Sequence, residues 1–275
     1  MDQKILWDCH MHSSFSADSD TPMEEMIQTA ADQGLTGICF TEHFDPDYPD
    51  NPEGLDFLLD FDAYYETFLT LKEKYRSQIE LLHGIELGVQ AHLKPVLDEF
   101  YQKYGSRFDF LINSCHIVDG LDPYDGIYFQ RLPVKEGIRH YFESILSNLK
   151  TFPDFQTAGH LDYICRYIPK PAPDFDYREY QDILDEIFLY LIEHHKALEI
   201  NTAGWKAGLA WPNPHIDILK RYRELGGELI TIGSDAHKPE HMGYDFGKLP
   251  ELLKTVGFRY CTIFRGQQPF SVPID

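Results

Sequence analysis

The sequence predicts an α/β chain folded as a closed β/α barrel, and three observations carry that reading. Short apolar runs of strand character alternate with amphipathic helical stretches through all 275 residues. Six of the eight strand-like runs end in His, Asp or Glu. No glycine-rich phosphate loop of the doubly wound kind occurs. In a barrel the carboxyl ends of parallel strands converge on one rim, so residues far apart in sequence meet there, whereas an open sheet would spread them over its width. No linker-like shift in composition divides residues 1–275, which are therefore read as one domain.

The elements follow in order. Ile5, Leu6 and Trp7 open a buried strand that runs into Asp8-Cys9-His10-Met11-His12 and a serine-rich loop. Thr21-Pro22-Met23-Glu24 has the form of a capping box, with Thr21 as N-cap, Pro22 first in the helix and Glu24 reaching back. Met23, Met26, Ile27 and Ala30 then recur at helical spacing until Gly34. A second strand, Leu35 to Phe40, delivers His43, and a loop rich in Asp and Pro from Asp45 to Gly54 is long and polar enough to overhang a site. A helix bearing Tyr64, Phe68, Leu71 and Tyr75 precedes a third strand, Ile79 to Leu82, which leads to Glu86. Leu93 to Tyr104 is helical, and Phe108 to Ile112 is a strand leading to His116. Val134 to Leu149 is helical, and a fifth strand from Phe155 ends at His160. The longest amphipathic helix carries Tyr180, Ile183, Leu184, Ile187 and Leu191, and Ala197 to Ile200 is the sixth strand. Asn213-Pro214 starts a helix stopped by Gly226-Gly227, and Leu229 to Ile232 is a seventh strand ending at Asp235 and His237. A helix from Leu249 to Val256 and an eighth strand from Tyr260 to Phe264 complete the count.

Composition narrows the function. With 45 acidic against 24 basic residues the formal charge is −21, which repels a nucleic-acid backbone over most of the surface. An anionic substrate must therefore meet local positive charge, and bound divalent cations would supply it. The five cysteines are odd in number and lack Cys-x-x-Cys spacing, as buried thiols in a reducing compartment do. The first residues lack the apolar core of a secretion signal, and no run reaches membrane-spanning length, so a cytoplasmic protein without a membrane partner is expected.

One His-x-His is weak evidence for a metal, but on a strand His10 and His12 share a face and can grip one ion. Recurrence of metal-competent residues at later strand ends reverses the odds. The set Asp8-x-His10-x-His12, Thr41-Glu42-His43, Gly84-Ile85-Glu86, Ser114-Cys115-His116, Gly159-His160 and Gly233-Ser234-Asp235-x-His237 resembles the PHP superfamily, named for polymerase and histidinol phosphatase. Gly159-His160-Leu161-Asp162 and Glu199-Ile200-Asn201-Thr202 are most similar to its monofunctional histidinol-phosphate phosphatases. The resemblance implies a distorted (β/α)7 TIM-like barrel, three divalent metals and hydrolysis of L-histidinol phosphate to L-histidinol and inorganic phosphate. It also implies ligand sets: His10, His12, Glu86 and Asp235 for one metal; the bridging Glu86 with His116 and His160 for a second; Asp18, His43 and His237 for a third. Some relatives carry histidine where Asp18 stands, which makes the third set richer in oxygen. Imidazole mixed with carboxylate suits zinc, iron or manganese.

The chemistry expected of such a cluster is a metal-bridging hydroxide attacking a phosphomonoester, with cations neutralising the equatorial oxygens. Arg166, six residues past His160, is the first choice for a guanidinium that clamps the phosphate, and Asp235 and His237 are the other catalytic candidates. Asp45 and Asp47 stand in an acidic loop that could bind the imidazole and amine of L-histidinol phosphate, although solvated charge is the simpler reading. Asp8 is read as orienting an imidazole or pairing with a buried cation. His194 falls on the apolar stripe of the long helix and is read as a packed core histidine, and His83 as facing away from Glu86. Two other readings remain: a PHP hydrolase of another small ester such as a nucleotide or sugar phosphate, and a metal-binding module without turnover. The second is disfavoured because a purely structural site needs no triple cluster.

Overall fold

The computed structural model describes residues 5–51, 53–170 and 175–274. Seven parallel strands stand in sequence order: β1 (Trp7–Met11), β2 (Gly37–Phe44), β3 (Glu80–Gly88), β4 (Phe110–Ser114), β5 (Thr157–Ala158), β6 (Ala197–Asn201) and β7 (Ile230–Gly233). Each pairs only with its neighbours in this order, and the intervening helices pack outside. The ring is a distorted seven-stranded β/α barrel. Its first and last strands meet just past their carboxyl ends, where His12 N–H donates to Ala236 O at 2.9 Å and Asp235 N–H to His10 O at 2.8 Å.

Strands β2 and β3 continue through the polar residues at which the composition suggested they stop. Thr41 pairs with Gly84 and His43 with Glu86, so ladder hydrogen bonds satisfy backbone groups buried beneath the rim loops. The eighth strand does not join the barrel. Tyr260–Arg265 (β8) turns through Gly266 and Gln267, both at positive φ, and pairs antiparallel with Gln268–Pro273 (β9). Two such residues make the tight turn that matches strand twist, and β8 finds its ladder partner in β9, in a two-stranded sheet separate from the barrel. The hairpin instead floors the amino end of the barrel, where Phe264 stacks on Phe110 with ring centroids 5.5 Å apart and Ile263 packs beside Trp7, Cys9 and Leu82.

Helix starts differ from the sequence reading in two places. The helix Met23–Asp32 has Pro22 in the capping position with no side-chain cap, because Thr21 Oγ1 donates to His237 O at 3.2 Å and Glu24 pairs with Lys74 and Tyr75. Asn213-Pro214 lies ahead of its helix, which runs Ile216–Glu224 and is capped by His215 Nδ1 accepting from Asp217 N–H at 3.1 Å. The helix Gln181–Glu193 ends one residue before His194, whose exposed ring rests on Tyr190 at 4.3 Å and forms no part of the core. All five cysteines are buried free thiols. Among the described residues no helix is long and apolar enough to cross a membrane.

Candidate metal centre

All nine residues expected as ligands meet at the carboxyl rim. Alternation along β1 turns His10 and His12 the same way, with ring centroids 5.2 Å apart. His43 of β2 and Glu86 of β3 are paired across adjacent strands. The chain leaving β4 brings His116, that leaving β5 brings His160, and that leaving β7 brings Asp235 and His237, while Asp18 comes from the loop after β1. Asp235 adopts φ +55°, a strained conformation for a non-glycine residue of the kind that clusters at functional sites.

Glu86 is at the centre, fully buried. Its Oε2 lies 3.0 Å from His10 Nε2, 3.4 Å from His12 Nε2 and 3.3 Å from His43 Nδ1. Its Oε1 lies 3.1 Å from His116 Nε2 and 2.8 Å from His160 Nε2, and accepts from Ser114 Oγ at 2.7 Å. The two oxygens of one carboxylate thus face two groups of imidazoles. Asp235 Oδ1 lies 3.6 Å from both His12 Nε2 and His237 Nδ1, and Asp18 Oδ2 lies 3.0 Å from His237 Nε2 and 3.7 Å from His43 Nε2. His12 is stacked between His43 at 4.2 Å and His237 at 4.1 Å, so it serves both ends of the cluster.

Three carboxylates orient the site without having been given that role from the sequence: Glu42 and Glu199 stood inside family motifs, and Asp45 in the acidic loop. Glu199 Oε1 meets His10 Nδ1 at 2.5 Å and its Oε2 accepts from His160 N–H at 2.7 Å. Asp45 Oδ1 meets His116 Nδ1 at 2.5 Å, so this residue is buried at the centre rather than solvated in a loop. Glu42 accepts from Ser13 and Ser16, and Ser16 Oγ in turn meets His12 Nδ1 at 3.1 Å. The available signal was period two: Asp45 is two residues past His43 on an extended segment, and Glu199 is two before Asn201 on β6. Asp8 contacts no imidazole ring and instead accepts from Ser234 N–H, Ser234 Oγ and Gly243 N–H, anchoring the turn that carries Asp235. Two glycines make room: a Cβ on Gly233 would strike His10, and one on Gly88 would land on the Asp45 carboxylate.

Electrostatics and geometry both call for cations here. Burial alone would raise the Glu86 carboxyl, yet His10, His116 and His43 hold it well below the usual range. Asp235 is likewise held low against its burial by His10, His12 and His237. Burial, with His237 and His43 alongside, pushes His12 well below its ordinary value and keeps its ring neutral, as a metal ligand must be. His12 Nε2 and His43 Nδ1 are buried with no hydrogen-bond partner, each aimed at carboxylate oxygens. Three sets of donor atoms lie close enough to share an ion: His12, His43 and His237; His10, His12 and Glu86; and His43, Glu86 and His116. The surrounding carboxylates raise His10, His43 and His116 against their burial; a bound ion would take the place of those protons, and imidazole and carboxylate donors converging in this way fit a hard-to-borderline divalent metal.

A cleft of about 340 Å³ opens over this cluster. Arg166 faces into it, its side chain 8% exposed: Nε donates to Asn213 Oδ1 at 2.8 Å, Nη2 to Asn201 Oδ1 at 3.2 Å, and Nη1 lies 3.5 Å from Asp235 Oδ2. Lys206 lies on the same wall with Nζ 3.1 Å from Asp235 O. An aromatic wall runs outward from His160 through Tyr163, Tyr167 and Tyr124, with successive centroids 5.0, 4.9 and 5.9 Å apart. Across the mouth, Tyr48 of the Asp-rich loop donates to the buried Asp122 carboxylate at 2.5 Å. Cationic inner wall, metal-competent base and acidic aromatic mouth together suit a phosphate ester with a cationic organic part.

Comparison with known proteins agrees with this geometry. The family model for the PHP domain matches residues 8–203. The histidinol-phosphatase of Lactococcus lactis is 33% identical over 267 residues, covering 95% of each chain, and a probable histidinol-phosphatase of Clostridium acetobutylicum is 35% identical over 242 residues, 88% of this chain and 90% of that one. A crystal structure of the Lactococcus lactis histidinol phosphate phosphatase with zinc, L-histidinol and phosphate superposes with a TM-score of 0.87 at 32% identity, covering 98% of this chain and 99% of that one. A Listeria monocytogenes structure at 19% identity and a TM-score of 0.73, covering 88% of this chain and 99% of that one, shares the fold.

Proposed function

Since this chain belongs to the PHP family, alongside histidinol-phosphatases it matches over nearly its whole length, we propose that it hydrolyses L-histidinol phosphate to L-histidinol and inorganic phosphate. It then works in histidine biosynthesis, in the cytoplasm. The observation that carries the reading is Glu86, whose two oxygens divide the histidines into two groups beneath a cleft walled by Arg166.

In this reading His10, His12, Asp18, His43, Glu86, His116, His160, Asp235 and His237 hold three divalent ions, zinc, iron or manganese. When bound, such ions lower the pKa of water towards neutrality and neutralise the phosphoryl oxygens. Glu199, Asp45 and Ser16 hold the outer nitrogens of His10, His116 and His12, fixing which nitrogen faces inward. Arg166 meets the phosphoryl group with its planar donor edge, and Lys206 adds a second positive charge on the same wall. Water oxygen joins phosphorus, the bond from phosphorus to the histidinol oxygen breaks, and that oxygen takes a proton. Asp122 and Tyr48 present negative potential to the amine and imidazole at the mouth, and Tyr163 and Tyr167 line their path.

Protein loaded with manganese or zinc is assayed for phosphate release from histidinol phosphate, a nucleoside monophosphate and a generic aryl phosphate. Preference for histidinol phosphate in kcat/KM is expected. Preference for the nucleotide reassigns the substrate, and no turnover on any of the three favours a binding module.

A further inference from the structure

Asp162, two residues beyond His160, has so far been only the last residue of a family motif with no role, yet it is fully buried and both its oxygens are committed. Oδ1 accepts from Asn213 Nδ2 at 2.5 Å, and Oδ2 accepts from His215 N–H at 2.9 Å. Asn213 is itself fully buried and pinned to β6 by two backbone bonds with Asn201, at 2.7 and 2.8 Å. An amide whose NH2 is claimed by a carboxylate has only its oxygen left to offer on the other side. That oxygen takes the Arg166 Nε–H at 2.8 Å. Asn201 Oδ1 and Asp235 Oδ2 receive the two Nη groups, and the Tyr163 ring lies beneath the guanidinium at 5.0 Å.

We propose that Asp162 is a positioning residue which, through the fixed amide of Asn213, sets the guanidinium plane of Arg166 for phosphate. This rests on the reading that Arg166 meets the phosphoryl group. The logic is one of polarity. With a carboxylate at 162, the Asn213 amide has one allowed orientation, acceptor towards Arg166. A flipped amide would set its NH2 against the Nε–H, donor against donor, and would leave the carboxylate facing an oxygen. Replacing Asp162 by its amide keeps shape and an acceptor for His215 N–H, so the helix start survives. The new NH2, however, now faces Asn213 and favours the flipped amide, which turns Arg166 away.

The test uses metal-loaded protein as wild type, Asp162→Asn, Arg166→Ala and the double variant, with Asn213→Ala as a second probe of the same link should Asp162→Asn fail to fold. Calorimetry with inorganic phosphate and kcat/KM on histidinol phosphate are both read, with thermal melting as the fold control. We expect Asp162→Asn to weaken phosphate binding and lower kcat/KM by roughly ten- to a hundredfold, with the melting temperature nearly unchanged. In the Arg166→Ala background the same change is expected to cost less than about twofold, because residues acting through one another are not additive. Equal losses with and without Arg166, or phosphate binding that Asp162→Asn leaves intact while Arg166→Ala weakens it, overturn the positioning role and leave the reading of Arg166 standing. Phosphate binding indifferent to Arg166→Ala removes that reading, and the role of Asp162 with it.

Discussion

Glu86 is the residue on which the site turns, because no neighbour can replace a carboxylate that faces both groups of histidines. Glu86→Gln keeps the shape but offers one oxygen and an NH2 where two oxygens stood. Since a metal supplies several kcal/mol of transition-state stabilisation, loss of its bridging ligand is expected to lower kcat/KM by about three decades. Elemental analysis of the variant, beside the assay, is expected to find fewer than the wild-type number of ions. His83 makes a separate prediction. Its ring is buried against Tyr64, Phe68 and Phe108 on the far side of β3, and burial lowers its pKa from 6.5 to about 4. A base whose folded pKa is depressed contributes no penalty above its unfolded value; as pH falls from 6.5 towards 4 the unfolded chain takes the proton first, and stability drops. The drop amounts to about 3 kcal/mol. Urea midpoints across that range are expected to fall less steeply for His83→Leu than for wild type. The expected ligands other than Asp18 were legible because each stood at or just past a strand end, beside a change from apolar to polar residues, while their grouping, and Asp18 with it, came from the family resemblance. The roles of Glu199 and Asp45 were not legible, because a buried carboxylate that holds an imidazole carries the same letter as a solvated one. Glu199 stood inside a family motif but without a role, and for both residues the alternation from Asn201 and His43 was the only sign of which way they face.

At the scale of elements, the alternation of apolar runs and amphipathic stretches located all seven barrel strands and the principal helices. It misplaced ends, since strand pairing continued through polar residues in β2 and β3 where composition signalled a stop. It misassigned the last strand too. The turn Gly266-Gln267 lacks the Asn-Gly or Asp-Gly pair that most strongly announces a hairpin, so alternation alone did not separate β8 from an eighth barrel strand, and only the family resemblance implied seven. The hairpin closes the end opposite the chemistry, with Phe264 only 4% exposed. Phe264→Ala removes the ring that stacks on Phe110 and opens a cavity beneath the barrel, at an expected cost of about 3–5 kcal/mol. Denaturant melts report that loss, while KM on folded protein is expected to stay near wild type because the rim is untouched.

Over the whole molecule, a formal charge of −21 surrounds a cleft built for phosphate. An aryl phosphate approaches against that field, whereas histidinol phosphate carries compensating positive groups. Raising ionic strength from about 0.01 to 0.15 M shortens the screening length to about 8 Å, so kcat/KM is expected to rise for the aryl ester and to change less for histidinol phosphate. Equal salt responses would remove net charge as a selector. The meeting of β1 and β7 has a consequence of its own. The belt of strands is buckled by two backbone hydrogen bonds, made by His10, His12 and Asp235 themselves and by Ala236, which sits between Asp235 and His237. On the proposed ligand assignment, ions gripped by those side chains would rivet the buckle shut. Stripping them with a chelator is expected to quicken amide hydrogen exchange at His12 and Asp235 first, while the amides of β3 and β4 on the opposite arc keep their protection. Slow exchange at the buckle in stripped protein would mean that the belt fastens itself.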